Sequence, residues 1–295
     1  MTTLTFCSSM AQRLENFVAL RRLSGTDYQS QTRLLVYFDN FLAKEHFDEP
    51  CLNREIVQCY LSTLSHLHPR TRYNRFSVVR QFCRYLSRFE PSCYTPDPIG
   101  SAKSETSRIP YIFTKTQVQD LLAETANLQP QHSLSPHTYR TLFGLLYTTG
   151  LRIGEALALN IKDFYPQSTR LYIREGKFHK SRWIPLSPST CAILQNYMHK
   201  RQNLMLSADN APLFISLRRS RLHHSTVYQT FCVLLNKCGI HKSKGRGPRI
   251  HDLRHTFAVH RLLKWYDDGQ DINARLPALA TYMGHVGVNS TQIYI

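Results

Sequence analysis

The chain has 295 residues, 37 Lys and Arg against 20 Asp and Glu, a net charge of +17, and 42% hydrophobic residues. That length supports two domains with real cores, and the charge exceeds what solubility needs, so a polyanionic partner such as nucleic acid is expected. No apolar run reaches transmembrane length and nothing resembles a signal peptide, which excludes a membrane-spanning class and predicts a cytoplasmic protein.

Charge is uneven along the chain, net +4 through Lys103 and +13 beyond it. Eight cysteines are scattered without a C-x-x-C pair. Several fall in apolar helical patterns, where a free thiol acts as a small core residue, and a reducing compartment is expected. Cys238 and His241 have a metal-like spacing but lack a second pair, so no metal is expected.

In chain order, residues 1–90 read as four helices. Met10 to Leu23 ends at Gly25, and Asp27 to Lys44 carries Leu34, Leu35, Phe38, Phe41 and Leu42 on one stripe. Asn53 is a predicted N-cap for a helix with Ile56, Val57, Tyr60, Leu61 and Leu64. Thr71 to Phe89 buries Phe76, Val79, Phe82, Cys83 and Leu86, and its other positions are laced with arginines. Among these, Arg72 and Arg75 are candidate phosphate contacts, although an arginine-rich face is as often merely solvated.

Residues 91–110, with Pro91, Pro96, Pro98, Gly100 and Pro110, are expected to form a linker, and a second domain to span 111–295. There Thr114 and Gln117 have capping-box spacing for a helix through Leu128. A helix over Thr138–Tyr147 stops at Gly150, after which Arg152 and Glu155 share a face at i, i+3. Leu171–Arg174 and Arg182–Leu186 alternate as strands around a hairpin tip holding Lys177 and Lys180. Helices follow at about 188–206 and 224–237. Lys242, Lys244, Arg246 and Arg249 then crowd a Gly-rich loop, the most phosphate-like in the chain.

The last forty-six residues, 250–295, hold the densest chemistry. His251, Arg254 and His255 lie at i, i+3 and i+4 on one helical face. Residues 265–276 read as a polar loop, with Pro277 starting the next helix. Gly284 stops that helix before His285, and Tyr294 follows. Two histidines, an arginine and a tyrosine, with a second arginine earlier in the chain, suit attack on a phosphodiester without a metal. Guanidiniums stay charged and bind phosphate through two N–H groups, whereas a phenol of pKa about 10 needs a positive field and a proton acceptor.

Thr149-Gly150-Leu151-Arg152-x-x-Glu155, Gly176-Lys177, His251-x-x-Arg254-His255, Gly284-His285 and Tyr294 occur in the order, and the last two blocks at the spacing, of the tyrosine recombinases. The chain thus resembles the phage-integrase family over residues 111–295, and less specifically over 1–90. The resemblance implies a mainly α fold with a small antiparallel β-sheet. A helical core-binding domain and a mixed α/β catalytic domain would together clamp double-stranded DNA. It implies site-specific strand breakage and rejoining through a 3′-phosphotyrosine, without cofactor, for integration or excision of a mobile element.

By the same resemblance Tyr294 is the nucleophile, and Arg152 and Arg254 grip the non-bridging oxygens with help from His285. His251 assists proton movement, Lys177 protonates the leaving 5′-oxygen, and Glu155 and His255 orient the arginines. A homo- or hetero-tetramer on DNA is implied as well. The family usually carries a docking helix past the tyrosine, where here only Ile295 follows. Two alternatives stand beside this reading: a type IB topoisomerase, which shares the chemistry, and a DNA-binding protein with decayed catalysis. The helical first domain and the nine-residue step from His285 to Tyr294 favour the recombinase.

Overall fold

The computed structural model describes residues 5–25, 27–98, 109–174, 181–202, 209–241 and 247–284. The chain divides into two compact units, Met1–Arg108 and Ile109–Ile295. Helices dominate both units. Among the described residues no helix is long and apolar enough to cross a membrane.

The first unit holds α1 (Ala11–Leu23), α2 (Gln29–Lys44), α3 (Arg54–Thr63) and α4 (Pro69–Leu86). Leu35, Phe38 and Leu42 of α2, Val57 and Tyr60 of α3, and Val79, Phe82 and Leu86 of α4 fill one core with Leu14 and Phe17 of α1. The Asn53 side chain caps α3 by accepting from the Ile56 amide at 2.9 Å. Asp39 is fully buried in α2, and its oxygens accept from the Cys7 and Ser8 amides and the Ser8 hydroxyl, which satisfies a charge that burial would otherwise penalise.

Residues 91–98, read from the sequence as the start of a linker, pack on this unit. Cys93 is in its core, the Tyr94 amide donates to the Leu52 carbonyl, and the Arg80 side chain donates to the Pro96 carbonyl. Cys93 is also joined to Cys51 in a disulfide, where the scattered cysteine spacing suggested only free thiols. Their separation of 42 residues is closed by tertiary packing, which spacing rules do not register. Cys83 and Cys191 are free and buried, as small apolar side chains.

The second unit comprises α5 (Lys115–Glu124), α6 (Ser135–Thr149), α7 (Ile153–Ala158), β1 (Phe164–Tyr165), β2 (Arg170–Ile173), β3 (Arg182–Pro185), α8 (Pro188–Gln202), α9 (His224–Lys237), α10 (Ile250–Asp267) and α11 (Ile272–Met283). The three strands form an antiparallel sheet in sequential order, with Leu171 opposite Ile184 and Ile173 opposite Arg182. Thr114 and Gln117 make the expected capping box at α5. Helix α6 is buried on most sides through Tyr139, Leu142, Phe143, Leu145 and Leu146, and forms the spine on which α5, α8 and α10 pack.

The stretch between α10 and α11 differs from the sequence expectation. Residues 265–276 are mostly helical: α10 runs to Asp267, and α11 starts at Ile272 with Pro277 inside it. The Asp271 carboxylate caps α11 by accepting from the Asn273 and Ala274 amides, so the helix begins well before the proline. At its sixth position Pro277 forgoes only the bond to the carbonyl four residues back. That cost is offset by burial of Leu276, Leu279 and Met283 against Phe257 and Leu262 of α10.

Candidate active site

Two glycine stops place the site. Gly150 ends α6 at φ +62°, and a Cβ there would sit 2.4 Å from the Phe257 ring, so only glycine lets α6 and α10 approach. Its carbonyl accepts from Arg254 of α10. Gly284 ends α11 at φ +68°. Arg254 is 2% exposed and also donates to the Met283 carbonyl at 2.7 Å, so it joins the ends of α6 and α11. Unpaired carbonyls at a helix C-terminus attract cations, and Arg254 uses both ends at once.

Arg152 is the N-cap residue of α7, and Glu155 is its third helical residue. The Arg152 guanidinium donates to Glu155 Oε1 at 2.8 Å and to the Gly284 carbonyl at 3.0 Å, and its amide donates to Glu155 Oε2. The carboxylate is also held by Arg182 of β3, whose Nη1 and Nη2 lie 3.0 and 2.9 Å from Oε1 and Oε2. Burial alone would raise the Glu155 carboxyl, but the Arg182 guanidinium, then the Arg152 amide and guanidinium, hold it below the usual carboxylate range. Two guanidiniums thus hold one carboxylate, and the positive surplus suits a phosphate, which guanidinium forks bind through paired N–H groups.

His251 and His255 lie one turn apart on α10 with ring centroids 4.8 Å apart. Loss of hydration, then His255, Arg254 and Arg249, push His251 down to about 4 against an opposing pull from Asp252. Its surface remains open to solvent, and the lowered pKa leaves the ring neutral at pH 7 and able to accept a proton. His255 is buried, and desolvation likewise lowers its pKa while Asp252 opposes. Arg249 precedes α10 and pairs with the buried Asp252 at 3.1 Å, leaving its side chain 40% exposed.

The structure therefore brings together Arg152, Glu155 and Arg254 around the end of α11, with His251 and His255 on the helix that carries Arg254. Arg72 and Arg75 belong to the first unit, Arg72 exposed and Arg75 stacked 4.3 Å over the Tyr37 ring. Lys177, Lys180, Lys242, Lys244, Arg246, His285 and Tyr294 lie outside the described residues. Arg182 is the participant that sequence reasoning missed. Its signal was available: in a strand with period two, Arg182 shares the face of buried Ile184, and a charge on a core-facing position needs a partner.

The model of the phage integrase family matches residues 112–295. The chain belongs to that family. An integrase/recombinase of Sinorhizobium fredii named y4rB is 35% identical over 98% of this chain and 93% of its own length. The tyrosine recombinase XerD of Rickettsia conorii is 25% identical over 97% and 92%. Two solved structures share the fold. XerH recombinase bound to a palindromic difH substrate has a TM-score of 0.68 at 22% identity, covering 98% of this chain and 81% of XerH. The Tn1549 transposon integrase in complex with transposon right end DNA gives 0.69 at 14% identity, covering 98% and 94%. This phage-integrase family member is a tyrosine-type site-specific recombinase that acts on DNA.

Proposed function

We propose that Tyr294 attacks a phosphodiester of double-stranded DNA held by Arg152 and Arg254, in the integration or excision of a mobile element. The observation that carries this reading is the convergence of the two arginines, from α7 and α10, on the carbonyls of Met283 and Gly284. Those residues directly precede His285 in the segment that ends with Tyr294. Arginines that already meet on these two carbonyls need little rearrangement to accept a phosphate, and such preorganisation is the main source of catalysis in phosphoryl transfer.

In the first step the Tyr294 phenol loses its proton, with neutral His251 as acceptor, and its oxygen bonds to phosphorus. The P–O5′ bond breaks, and Lys177 supplies the proton that makes a free 5′-hydroxyl. Charge on the non-bridging oxygens is offset by Arg152 and Arg254, with a hydrogen bond from His285, while Glu155 and His255 hold the arginines. A 5′-hydroxyl from another strand reverses each proton transfer and reseals the DNA, so the phosphodiester energy is kept and no cofactor is called for. Arg72, Arg75, Lys180, Lys242, Lys244, Arg246 and Arg249 supply phosphate contacts, the acting form is a homo- or hetero-tetramer on DNA, and the work is cytoplasmic.

The test is covalent capture on a nicked duplex carrying a site selected from random DNA by the full chain. Wild type should leave a protein–DNA adduct that resists denaturation, and Tyr294→Phe should bind the site and leave none. An adduct surviving in Tyr294→Phe would overturn the assignment.

A further inference from the structure

Arg182 has no part in the reaction as proposed, yet it touches Glu155, which holds Arg152, and the Met283 carbonyl, which holds Arg254. We propose that Arg182 is a positioning residue for strand cleavage, holding Glu155 and the end of α11 in the geometry that aims Arg152 and Arg254 at the phosphate. The inference rests on the proposed roles of those two arginines.

Three observations carry it. First, the Glu155 carboxylate receives four hydrogen bonds, two from Arg152 and two from Arg182, and each oxygen serves both partners. Paired with Arg152 alone, the carboxylate would neutralise the charge meant for phosphate. Shared with Arg182, it still fixes the Arg152 fork while Arg152 keeps part of its positive field.

Second, Arg182 Nε donates to the Tyr282 carbonyl at 3.1 Å, and Nη2 lies 3.4 Å from the Met283 carbonyl. The Met283 carbonyl also accepts from Arg254, and the next carbonyl accepts from Arg152. One side chain thus shares acceptors with both arginines. Third, the guanidinium lies so close to Gly284 that a Cβ there would be 2.8 Å from its Cζ. With its backbone paired to Ile173 in the sheet, Arg182 is a fixed point against which Arg152 and Arg254 are set.

An ion pair that merely stabilises the fold would share some of these contacts, so the test must separate the two roles. Single-turnover cleavage is measured on the nicked duplex, beside site affinity and thermal unfolding. Arg182→Ala should bind within a few-fold of wild type and cleave ~10²-fold more slowly, the scale of a small misplacement at a reacting centre. Because Arg182 acts through Glu155, adding Glu155→Gln should cost little more. A duplex with a methylphosphonate at the scissile position removes the charge that Arg152 and Arg254 offset. On that substrate the Arg182→Ala deficit should shrink several-fold.

Wild-type cleavage by Arg182→Ala, an equal deficit on both substrates, or full additivity with Glu155→Gln would each overturn the inference. If Arg182→Ala does not fold, Arg182→Lys keeps the charge without the fork. It should cleave slowly and be rescued by the methylphosphonate, and wild-type cleavage by it would be decisive against the inference. Absence of any adduct from the wild-type chain would overturn the reaction and the inference together, whereas wild-type cleavage with an unimpaired Arg182→Ala overturns the inference alone.

Discussion

Arg254 and Arg72 carry the same guanidinium into opposite settings. Arg254 is buried in the second unit and donates to carbonyls on two different helix ends, while Arg72 stands exposed at the start of α4 in the first. Arg75, one turn further on, lies between these cases, half-buried over the Tyr37 ring. Burial fixes a guanidinium at the expense of its hydration, which is useful where charge develops on a phosphate for an instant. Exposure leaves it mobile and hydrated, which suits contacts along a DNA backbone that position without reading bases. The difference teaches that burial alone can fit one guanidinium chemistry to two tasks, and each task as proposed should fail in its own way.

The sharpest break comes from Arg254→Lys. An ammonium cannot hold the carbonyls of Gly150 and Met283 and also present a planar fork, so cleavage should fall ~10²–10³-fold with site affinity little changed. Loss of affinity with a normal rate at saturation would put Arg254 in the same class as Arg72. Gly284→Ala acts one step away. A left-handed φ costs a Cβ-bearing residue about 1–2 kcal/mol, and the new methyl must displace Arg182, so chemical denaturation should show at least that loss. An equally stable variant would mean the α11 terminus is not built around the Arg182 contact.

A gentler effect is expected from pH. His251 is lowered in the folded chain to about 4 from an ordinary 6.5, so the folded state favours the neutral ring. The shift costs the fold nothing above about 6.5, and stability falls as pH drops from about 6.5 to about 4, where the ring is charged in both states. Ring NMR on the DNA-free protein should show His251 neutral at pH 6, and titration near 6.5 would contradict the crowded positive surroundings. The smallest effect belongs to Arg72→Ala, which should reduce the log–log salt slope of binding by about 0.9 and leave cleavage at saturating protein unchanged. A rate defect there would erase the division of labour.

How far the sequence reveals this depends on the range of each contact. The Asn53 cap, the Thr114–Gln117 box and the Arg152–Glu155 pair span three residues, and each is legible from spacing. The glycine stops at Gly150 and Gly284 are legible too, because local backbone chemistry marks them. The closing of Arg152 on Gly284 spans 132 residues and that of Arg182 on Tyr282 spans 100, and both depend on how α7, β3 and α11 pack. Arg182 was hidden by looking like half of an alternating strand. Pro277 points in the other direction, since proline is common at helix starts, although the Asp271 cap is an equally local signal. The Cys51–Cys93 pairing had no local mark at all.

The most direct test of the whole account identifies the residue that carries the DNA. Wild-type protein captured on the nicked duplex is digested with nuclease and protease, and the peptide bearing a residual nucleotide is sequenced by mass spectrometry. The account predicts the nucleotide on Tyr294, linked through a 3′-phosphate. A nucleotide on any other side chain, or a 5′-phosphate linkage, would contradict it.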